Sequence, residues 1–355
     1  MTLESFHCTN FRCLAEARLE LDPRFNLVHG PNASGKTSLL EAIAYLGRGK
    51  SFRGAPTDRL VRHGSKEFVL FGRVSQPGGE SVLGVRNGEG GLEVRIDGQG
   101  NVGVADLAER LPLQVVDPDV HNLVAGGPEE RRRYLDWIAF HVEHGFLREW
   151  RRFRKALRQR NAALRARADR AELDGWDRQF LAAAMRLHEC RERALARTRA
   201  ALERTALRLL GDAVGFRYRR GWAEGLSLEA ALARDRARDI ETGTSGAGPQ
   251  RADLALSYDD RQVRKLVSRG QQKLLACTLV LAATEVVQAE LGRPLLLLLD
   301  DPAAELDSDA LQRLMRAVED LGAQVVATSL TSAPGLFSSP ARTFHVEQGV
   351  LTRAT

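Results

Sequence analysis

The order of apolar and polar residues predicts a chain that begins with strands and one helix. Residues 1–22 alternate with a period of two, which is typical of two half-buried strands in a hairpin. Residues 25–29 form a short apolar run that predicts a buried strand, and residues 37–43 have the spacing of a helix. Three apolar segments separated by Gly-rich turns at residues 68–104 predict an antiparallel meander. Residues 113–116 add one more short strand.

The pattern becomes helical near residue 119. Residues 129–210 are rich in Ala, Leu and Arg and carry Leu at helical spacing, so we expect helices that pack on each other. We expect Asp174-Gly175 to break them into an antiparallel hairpin. Residues 239–250 are rich in Gly, Thr and Ser and predict a mobile loop or a return linker.

This succession of elements predicts an α/β protein with a helical insertion. The 355 residues are 43% hydrophobic, which is enough for a sizeable core and for two or three domains. We expect a head domain and an inserted, Arg-rich arm domain, with these boundaries: head, residues 1–118 and 246–355; arm, residues 119–245.

The charge of the chain favours a polyanionic partner such as DNA. The formal net charge is +6, and residues 148–220 hold 21 Lys or Arg against 9 Asp or Glu. An Arg-rich helix face that is merely solvated explains the same excess, so both interpretations stay open. Four scattered cysteines without a C-x-x-C pair indicate neither a zinc site nor disulfides. No secretory signal or membrane-spanning run is visible, and we expect a cytoplasmic protein without a membrane partner.

A phosphate-binding motif lies between the predicted strand and the first predicted helix. Its spacing is G-x-x-x-x-G-K-[ST], in which backbone N–H groups point at phosphate oxygens, Lys36 adds a positive charge and the Thr37 hydroxyl can hold Mg²⁺. The helix N-terminus also favours an anion. The basic loop at residues 47–54 is either a surface turn or a clamp on nucleotide or DNA. The residues expected to bind the nucleotide are Gly30, Pro31, Asn32, Ala33, Ser34, Gly35, Lys36, Thr37 and Ser38.

A continuous apolar run at residues 295–299 ends in the carboxylates of Asp300 and Asp301. Such a run is typical of a central parallel strand, and acids at its carboxyl end lie where open α/β sheets bind ligands. We expect Asp300 to hold Mg²⁺ together with Thr37. We expect Asp301 to act with Lys36 in catalysis, by orienting or deprotonating the attacking water. The next predicted strand, at residues 324–329, ends in two possible γ-phosphate sensors: Thr328 and Ser329.

A second phosphate-binding device is predicted at residues 268–273. Ser268 is a good N-cap for the helix that follows, and Gly270 allows close backbone approach. One chain has little use for two such devices on one nucleotide, so we expect this signature to act on the nucleotide of a second subunit. Asp307 is expected at the same dimer seam. The signature residues are Ser268, Arg269, Gly270, Gln271, Gln272 and Lys273.

The order of these motifs resembles the ABC-type ATPase head of the SMC superfamily and, more narrowly, the RecF family of bacterial recombination-repair proteins. The motifs that carry the narrower resemblance cover the chain from end to end. They are residues 30–42, 50–53, 127–128, 131–132, 135–136, 248–254 and 268–273.

The resemblance implies an ABC-type P-loop ATPase head, with a mixed sheet and an antiparallel meander, that carries an inserted helical arm. It implies a protein that binds ATP and Mg²⁺, forms a homodimer with ATP, and hydrolyses ATP slowly with stimulation by DNA and without nuclease activity. It further implies binding to DNA at single-strand gaps and junctions during recombinational repair and replication-fork maintenance. The mediators RecR and RecO would be partners in loading the recombinase.

Two other functions share some of these motifs. The ATPase subunit of a membrane transporter has the same core, but here more than two hundred residues separate the phosphate loop from the signature, and residues 327–329 lack the usual His. A nuclease fusion needs a further carboxylate cluster for two metals. After Asp320 the only acid is Glu347, so such a domain cannot lie at the C-terminus.

Overall fold

The computed structural model of the protein describes residues 1–76, 78–258, 261–262, 268–332, 335–339 and 341–353. The chain forms two compact units. The first comprises Met1–Val120 and Cys277–Thr355, and the second comprises His121–Ala276.

The helices and strands alternate along the chain broadly as the residue pattern predicts. The strands are β1 (Thr2–Phe11), β2 (Leu14–Glu20), β3 (Phe25–His29), β4 (Glu67–Gln76), β5 (Gly79–Gly88), β6 (Gly91–Ile96), β7 (Leu113–Val116), β8 (Gly215–Arg219), β9 (Asp253–Tyr258), β10 (Arg261–Gln262), β11 (Leu296–Leu299), β12 (Gln324–Ser329), β13 (Arg342–Glu347) and β14 (Val350–Arg353). The helices are α1 (Lys36–Arg48), α2 (Val104–Arg110), α3 (Asn122–Ala125), α4 (Pro128–Val142), α5 (Phe146–Arg165), α6 (Arg170–Leu210), α7 (Leu228–Thr242), α8 (Arg269–Leu291) and α9 (Ser308–Asp320).

The first unit contains an antiparallel sheet with the strand order β2-β1-β4-β5-β6. The predicted hairpin and meander are both confirmed by these strands. Every second residue of β4 from Phe68 to Val74 is buried, because alternate side chains of a strand point to opposite faces. The buried face packs on α1 in one core that includes Phe6, Leu40 and Leu70.

The second sheet of this unit is mostly parallel and has the order β14-β13-β3-β12-β11-β7. Strands β13, β3, β12, β11 and β7 run parallel, and β14 is antiparallel to β13. All four residues of β11 are buried, as expected for a strand covered on both faces. Because the strands are parallel, the segments that follow β3, β12, β11 and β7 emerge at one edge of the sheet.

The second unit is mainly helical, and its long hairpin differs from the prediction in one respect. The expected break at Asp174-Gly175 is wrong, because α6 continues through both residues. The chain turns earlier, at residues 166–169, where Arg167 adopts a φ of 52° and the Asp169 carboxylate accepts a hydrogen bond from the Glu172 N–H at 2.8 Å. A capping side chain thus decides where the helix starts, and an interior glycine that costs about 1 kcal/mol does not end it.

The described residues between 246 and 276 lie with the helical unit, whereas the predicted arm ends at residue 245. Strand β9 pairs with β8 in a small antiparallel sheet. The Arg131 guanidinium binds the Asp253 carboxylate at 2.7 Å, and Arg191 donates to the Pro249 carbonyl oxygen at 2.8 Å. These contacts hold the segment against α4 and α6.

The predicted loop at residues 239–250 is partly helix and partly a packed turn. Helix α7 extends to Thr242. The buried Arg160 guanidinium donates to the Asp239 carboxylate at 2.8 Å and to the Ser245 hydroxyl at 2.7 Å. Some arginines of this Arg-rich unit therefore stabilise its interior, a role distinct from a solvated face or a DNA contact.

Helix α8 is long and apolar enough to cross a membrane, and it is the one such helix in the described part of the chain. Its most apolar window is nevertheless 67% buried inside the protein. Burial of that kind is typical of a helix in a protein core. The expected absence of a membrane partner stays a prediction.

Candidate nucleotide-binding site

The phosphate loop occupies the bend between β3 and α1, as predicted. A Cβ atom on Gly30 would lie 2.1 Å from the Val346 carbonyl oxygen, so only glycine fits there. Ala33 and Gly35 have φ angles of 60° and 114°, which curl the loop back before the helix starts. The loop therefore ends with the free N–H groups of a helix N-terminus, the arrangement that binds phosphate.

Lys36 lies across the mouth of this loop. Its ammonium group donates to the carbonyl oxygens of Gly30 and Pro31 at 2.7 and 2.8 Å. Burial lowers the pKa of Lys36, and the nearby carboxylates of Asp300 and Asp301 oppose that shift. The two carbonyl contacts hold the ammonium group at the loop, where it can reach a phosphate oxygen by a side-chain rotation.

The carboxylate of Asp300 joins the ends of three elements. Its Oδ1 atom accepts hydrogen bonds from the Thr37 hydroxyl at 3.0 Å and from the Thr328 hydroxyl at 2.8 Å. Thr328 in turn accepts from the Asp301 N–H at 2.8 Å. Asp301 itself has a φ of 47°, a left-handed conformation that costs a non-glycine residue free energy and is common at functional sites. Four residues predicted separately from the sequence thus lie together.

The electrostatics of this edge favour a cation. Burial raises the pKa of Asp300, which is only 4% exposed, while the Thr328 and Thr37 hydroxyls oppose the shift. Burial, with help from the charges of Asp119 and Asp300, raises the pKa of Asp117 to about 6. A divalent cation would compensate these carboxylates and favour their ionised forms.

A cavity of about 320 Å³ lies over the loop and the acids. The Ser34 hydroxyl is buried beside it and has no hydrogen-bond partner among the described residues. A hydroxyl that donates to a bound phosphate oxygen would have this arrangement in the protein alone. The residues therefore fit a triphosphate with Mg²⁺. In the described part of the chain no three His, Cys, Asp or Glu form a metal cluster, and Mg²⁺ on a nucleotide needs none, because phosphates and water complete its coordination. The lining consists of Cys13, Asn32, Ala33, Ser34, Gly35, Lys36, Thr37, Ser38, Arg53, Pro118, Asp300, Asp301, Thr328 and Leu330.

The basic loop at residues 47–54 contributes one side chain to this cavity. Ser51 is buried, donates to the fully buried Glu41 carboxylate, and accepts from the Arg53 N–H at 3.1 Å. Arg12 completes the network with an ion pair to Glu41. The loop is thereby fixed with Arg53 lining the cavity, which favours the nucleotide-clamp interpretation over a plain surface turn.

Other predicted site residues have different surroundings. Asp307 is the N-cap of α9, and its carboxylate accepts from the Ala310 N–H at 2.7 Å. Ser329 ends β12 but does not line the cavity. A role for Asp307 at a dimer seam and for Ser329 as a sensor stays a prediction.

The signature segment begins α8 with a capping box. The Gln271 N–H donates to the Ser268 hydroxyl at 3.3 Å, and the Gln271 side chain accepts from the Ser268 N–H at 3.0 Å. Ser268, Arg269 and Gln271 are exposed, while Lys273 is buried. The predicted N-cap is therefore confirmed, and Lys273 faces the protein interior. The action of this segment on a second subunit stays a prediction.

Two residues at this edge of the sheet were not predicted from the sequence. Asp117 directly follows β7, the same signal that pointed to Asp300, but its neighbour Pro118 made the segment look like a helix start. The Cys13 thiol lies 3.6 Å from the Ser38 hydroxyl at the rim of the cavity. Nothing in the local sequence of Cys13 indicates this, because tertiary packing alone brings the hairpin of β1 and β2 beside the loop.

Comparisons with known proteins agree with this architecture. The family model described as RecF/RecN/SMC N terminal domain matches residues 2–350. A DNA replication and repair protein RecF from Pseudomonas fluorescens (strain SBW25) is 39% identical over 361 residues, which cover 99% of this chain and 98% of that protein. The chain belongs to the RecF family. A RecF relative from Edwardsiella ictaluri (strain 93-146) is 38% identical and covers 98% of this chain and 99% of its own length.

Solved structures show the fold of this RecF-family chain. A structure of the recombination mediator protein RecF with ATP, in the RecFOR pathway, matches with a TM-score of 0.89 and 23% identity, covering 100% of this chain and 98% of that one. An Smc head domain from Pyrococcus furiosus, with an extended coiled coil, matches with a TM-score of 0.59 and 16% identity over 99% and 96% of the two chains. The fold is therefore an ABC-type ATPase head with a helical insertion.

Proposed function

We propose that this protein is an ATP-dependent DNA-binding protein of recombinational repair and replication-fork maintenance, and a slow ATPase. The observation that carries the proposal is the cluster of Thr37, Asp300 and Thr328 beside the phosphate loop, at one edge of the parallel sheet. Its relatives are named DNA replication and repair proteins, and one is solved with ATP. The full-length match to these relatives favours this function over a transporter subunit.

In this proposal the residues of the first unit bind and hydrolyse ATP. The loop N–H groups and the Lys36 ammonium hold the phosphates, and Thr37 with Asp300 holds the metal. Mg²⁺ supplies charge neutralisation on the phosphates when it is bound. Asp301 orients or deprotonates the attacking water, and Thr328 keeps the backbone of Asp301 in place.

In this proposal, ATP binding brings two copies of the chain together in a homodimer that closes on DNA. The exposed N-terminus of α8 offers Ser268 and Gln271 to the ATP of a partner subunit, where a helix N-terminus stabilises negative charge. Asp307 lies at the seam between subunits. Single-strand gaps and junctions are the proposed DNA targets, and RecR and RecO are the proposed partners in loading the recombinase.

Helix α5 supports a DNA contact through its charge. It carries eight Lys or Arg and one acid. Three of its exposed arginines, Arg151, Arg154 and Arg158, follow the i, i+3, i+7 spacing of one helix face. Phosphate contacts of this kind release counterions, so DNA affinity should fall steeply as salt rises.

Sedimentation with and without ATP and gapped DNA tests the proposal. We expect ATP to convert monomers to dimers and to strengthen DNA binding. Lys36→Ala should abolish both effects, and Asp301→Asn should trap the dimer with ATP. Lys66→Ala, which removes an exposed lysine away from the cavity, is the matched control. A Lys36→Ala protein that dimerises and binds DNA as ATP-dependently as the parent would refute the switch. Plasmid incubated with the protein and Mg²⁺ should stay intact.

A further inference from the structure

An open groove of about 750 Å³ lies along the surface where α5 and α6 meet in the helical unit. The two helices are antiparallel neighbours because only residues 166–169 connect them. Small side chains from both helices, Ala156, Ala182 and Ala183, line the groove, and Trp176 lies among the lining residues. The groove is thus partly apolar, and no part of the proposed ATPase chemistry uses it.

Five cations line the groove, and most of them are well exposed. Arg148, Arg152 and Lys155 come from α5 at the i, i+4, i+7 positions of one face, and Arg186 and Arg193 come from α6, seven residues apart. The side chains of Arg148, Arg152 and Arg186 are 68%, 63% and 70% exposed. Two parallel rows of positive charge therefore border the apolar floor.

The carboxylates near these cations neutralise only part of the positive charge. Glu149 is shared by Arg148 at 2.9 Å and Arg152 at 3.2 Å. Arg186 lies 3.6 Å from Glu189, a weak contact at that length, and Arg193 is paired with the buried Glu143 carboxylate at 2.7 Å. Lys155 forms no ion pair with any residue that the structure describes. The groove therefore keeps a positive excess for a ligand to neutralise.

We propose that this groove binds an acidic amphipathic segment of a partner protein. Its Asp or Glu side chains meet the two basic rows and its small apolar side chains meet the alanine floor, which is the helix-in-groove mode of recognition. Duplex DNA fits less well, because it has no apolar face to lay on the alanines. This inference does not depend on the proposed DNA clamp.

Fluorescence anisotropy with the full-length protein tests the inference. The probe is a labelled synthetic peptide of about 14 residues, with Glu on one side and Ala and Leu on the other at helical spacing, long enough to span the groove at 1.5 Å per residue. The same peptide with Lys in place of Glu controls for apolar binding. A labelled oligo-dT and a labelled duplex report on nucleic acid.

Charge reversal in the groove should weaken acidic-peptide binding by roughly tenfold or more, because attraction becomes repulsion. The variant is Arg152→Glu with Lys155→Glu. Arg151→Glu with Arg158→Glu makes the same charge change on the same helix outside the groove and should leave peptide binding unchanged. Ala182→Trp fills the groove at constant charge and should also weaken the peptide. Circular dichroism confirms that each variant is folded.

Three outcomes would overturn the inference. In the first, the acidic peptide binds no more tightly than its Lys version. In the second, the groove variant and the control variant lose the same affinity for the acidic peptide. In the third, the groove variant keeps peptide binding but loses oligo-dT or duplex binding, which would make the groove a nucleic-acid site. Failure of ATP-dependent dimerisation would contradict only the proposed function and leave the peptide result intact.

Discussion

Glu41 offers a test of how the first unit holds its phosphate loop in place. Its carboxylate is completely buried in α1, accepts from an Arg12 guanidinium N–H at 2.8 Å, and also accepts from the Ser51 hydroxyl. Removal of the acid in Glu41→Ala leaves a guanidinium and a hydroxyl without their partner. Breaking a fully buried ion pair costs about 3–5 kcal/mol. The Arg12 side chain is 22% exposed and regains some water, so we expect a loss of about 3 kcal/mol.

A loss of this size is readily measured. For a unit of about two hundred residues, 1 kcal/mol shifts the Tm by roughly 2–4 °C, so the Tm should fall by roughly 6–12 °C in differential scanning calorimetry. Nucleotide affinity should fall as well, because Ser51 fixes the loop that places Arg53 at the cavity. Fluorescent ATP analogues measure that change.

The matched control is Glu16→Ala. Glu16 also pairs with an arginine, Arg18, at 2.7 Å, but both side chains are more than half exposed. Its removal should leave the Tm within about 2 °C of the parent, because exposed ion pairs contribute little. Replacing both buried partners, Arg12→Met with Glu41→Leu, should recover part of the lost stability, since no buried charge is then left unpaired. A Glu41→Ala protein no less stable than Glu16→Ala would refute this reasoning.

Three further predictions concern the site. Gly30→Ala should abolish nucleotide binding in a titration with a fluorescent ATP analogue, because the new Cβ atom would lie 2.1 Å from the Val346 carbonyl oxygen. A variant that binds with wild-type affinity would contradict this steric argument. Thr328→Val keeps the side-chain volume but removes the hydroxyl that donates to Asp300. In steady-state ATPase assays kcat should fall roughly tenfold or more with little change in KM. An unchanged kcat would exclude a role for this hydrogen bond in catalysis. Asp307→Asn keeps a good N-cap but removes the negative charge, so an unchanged Tm with weaker ATP-dependent dimerisation would support a role for Asp307 at the dimer seam. Asp307→Ala removes the cap as well and should also cost about 1 kcal/mol of stability.

Local patterns predicted the parts of the molecule whose geometry is set within a few residues. The phosphate loop, the hairpin, the meander and the buried strand before Asp300 each depend on alternation, on glycine positions or on a continuous apolar run. Capping chemistry belongs to the same class, since Ser268 and Gln271 bond within one helical turn. Such features need no knowledge of distant residues.

Contacts between distant segments were predicted poorly. The turn of the long hairpin lies at residues 166–169 and not at Asp174-Gly175, because α6 gains more from packing than an interior glycine costs. Strand β8 was not predicted, since its five residues become a strand only by pairing with β9, about forty residues later. The buried roles of Arg131 and Arg160 also escaped notice, because an arginine in an Arg-rich segment looks the same whether it meets solvent or a distant aspartate.

By itself the sequence determined that this chain carries a phosphate loop, a strand that ends in two acids and a capped helix start, because each of these is written in contiguous residues. Only the tertiary structure decided that the phosphate loop and the strand with two acids form one site. The parallel order of β3, β12, β11 and β7 brings Thr37, Asp300 and Thr328 within hydrogen-bond distance, although more than 260 positions separate the first two. Strand order is set by the burial of apolar faces across the whole unit, and no local segment contains that information.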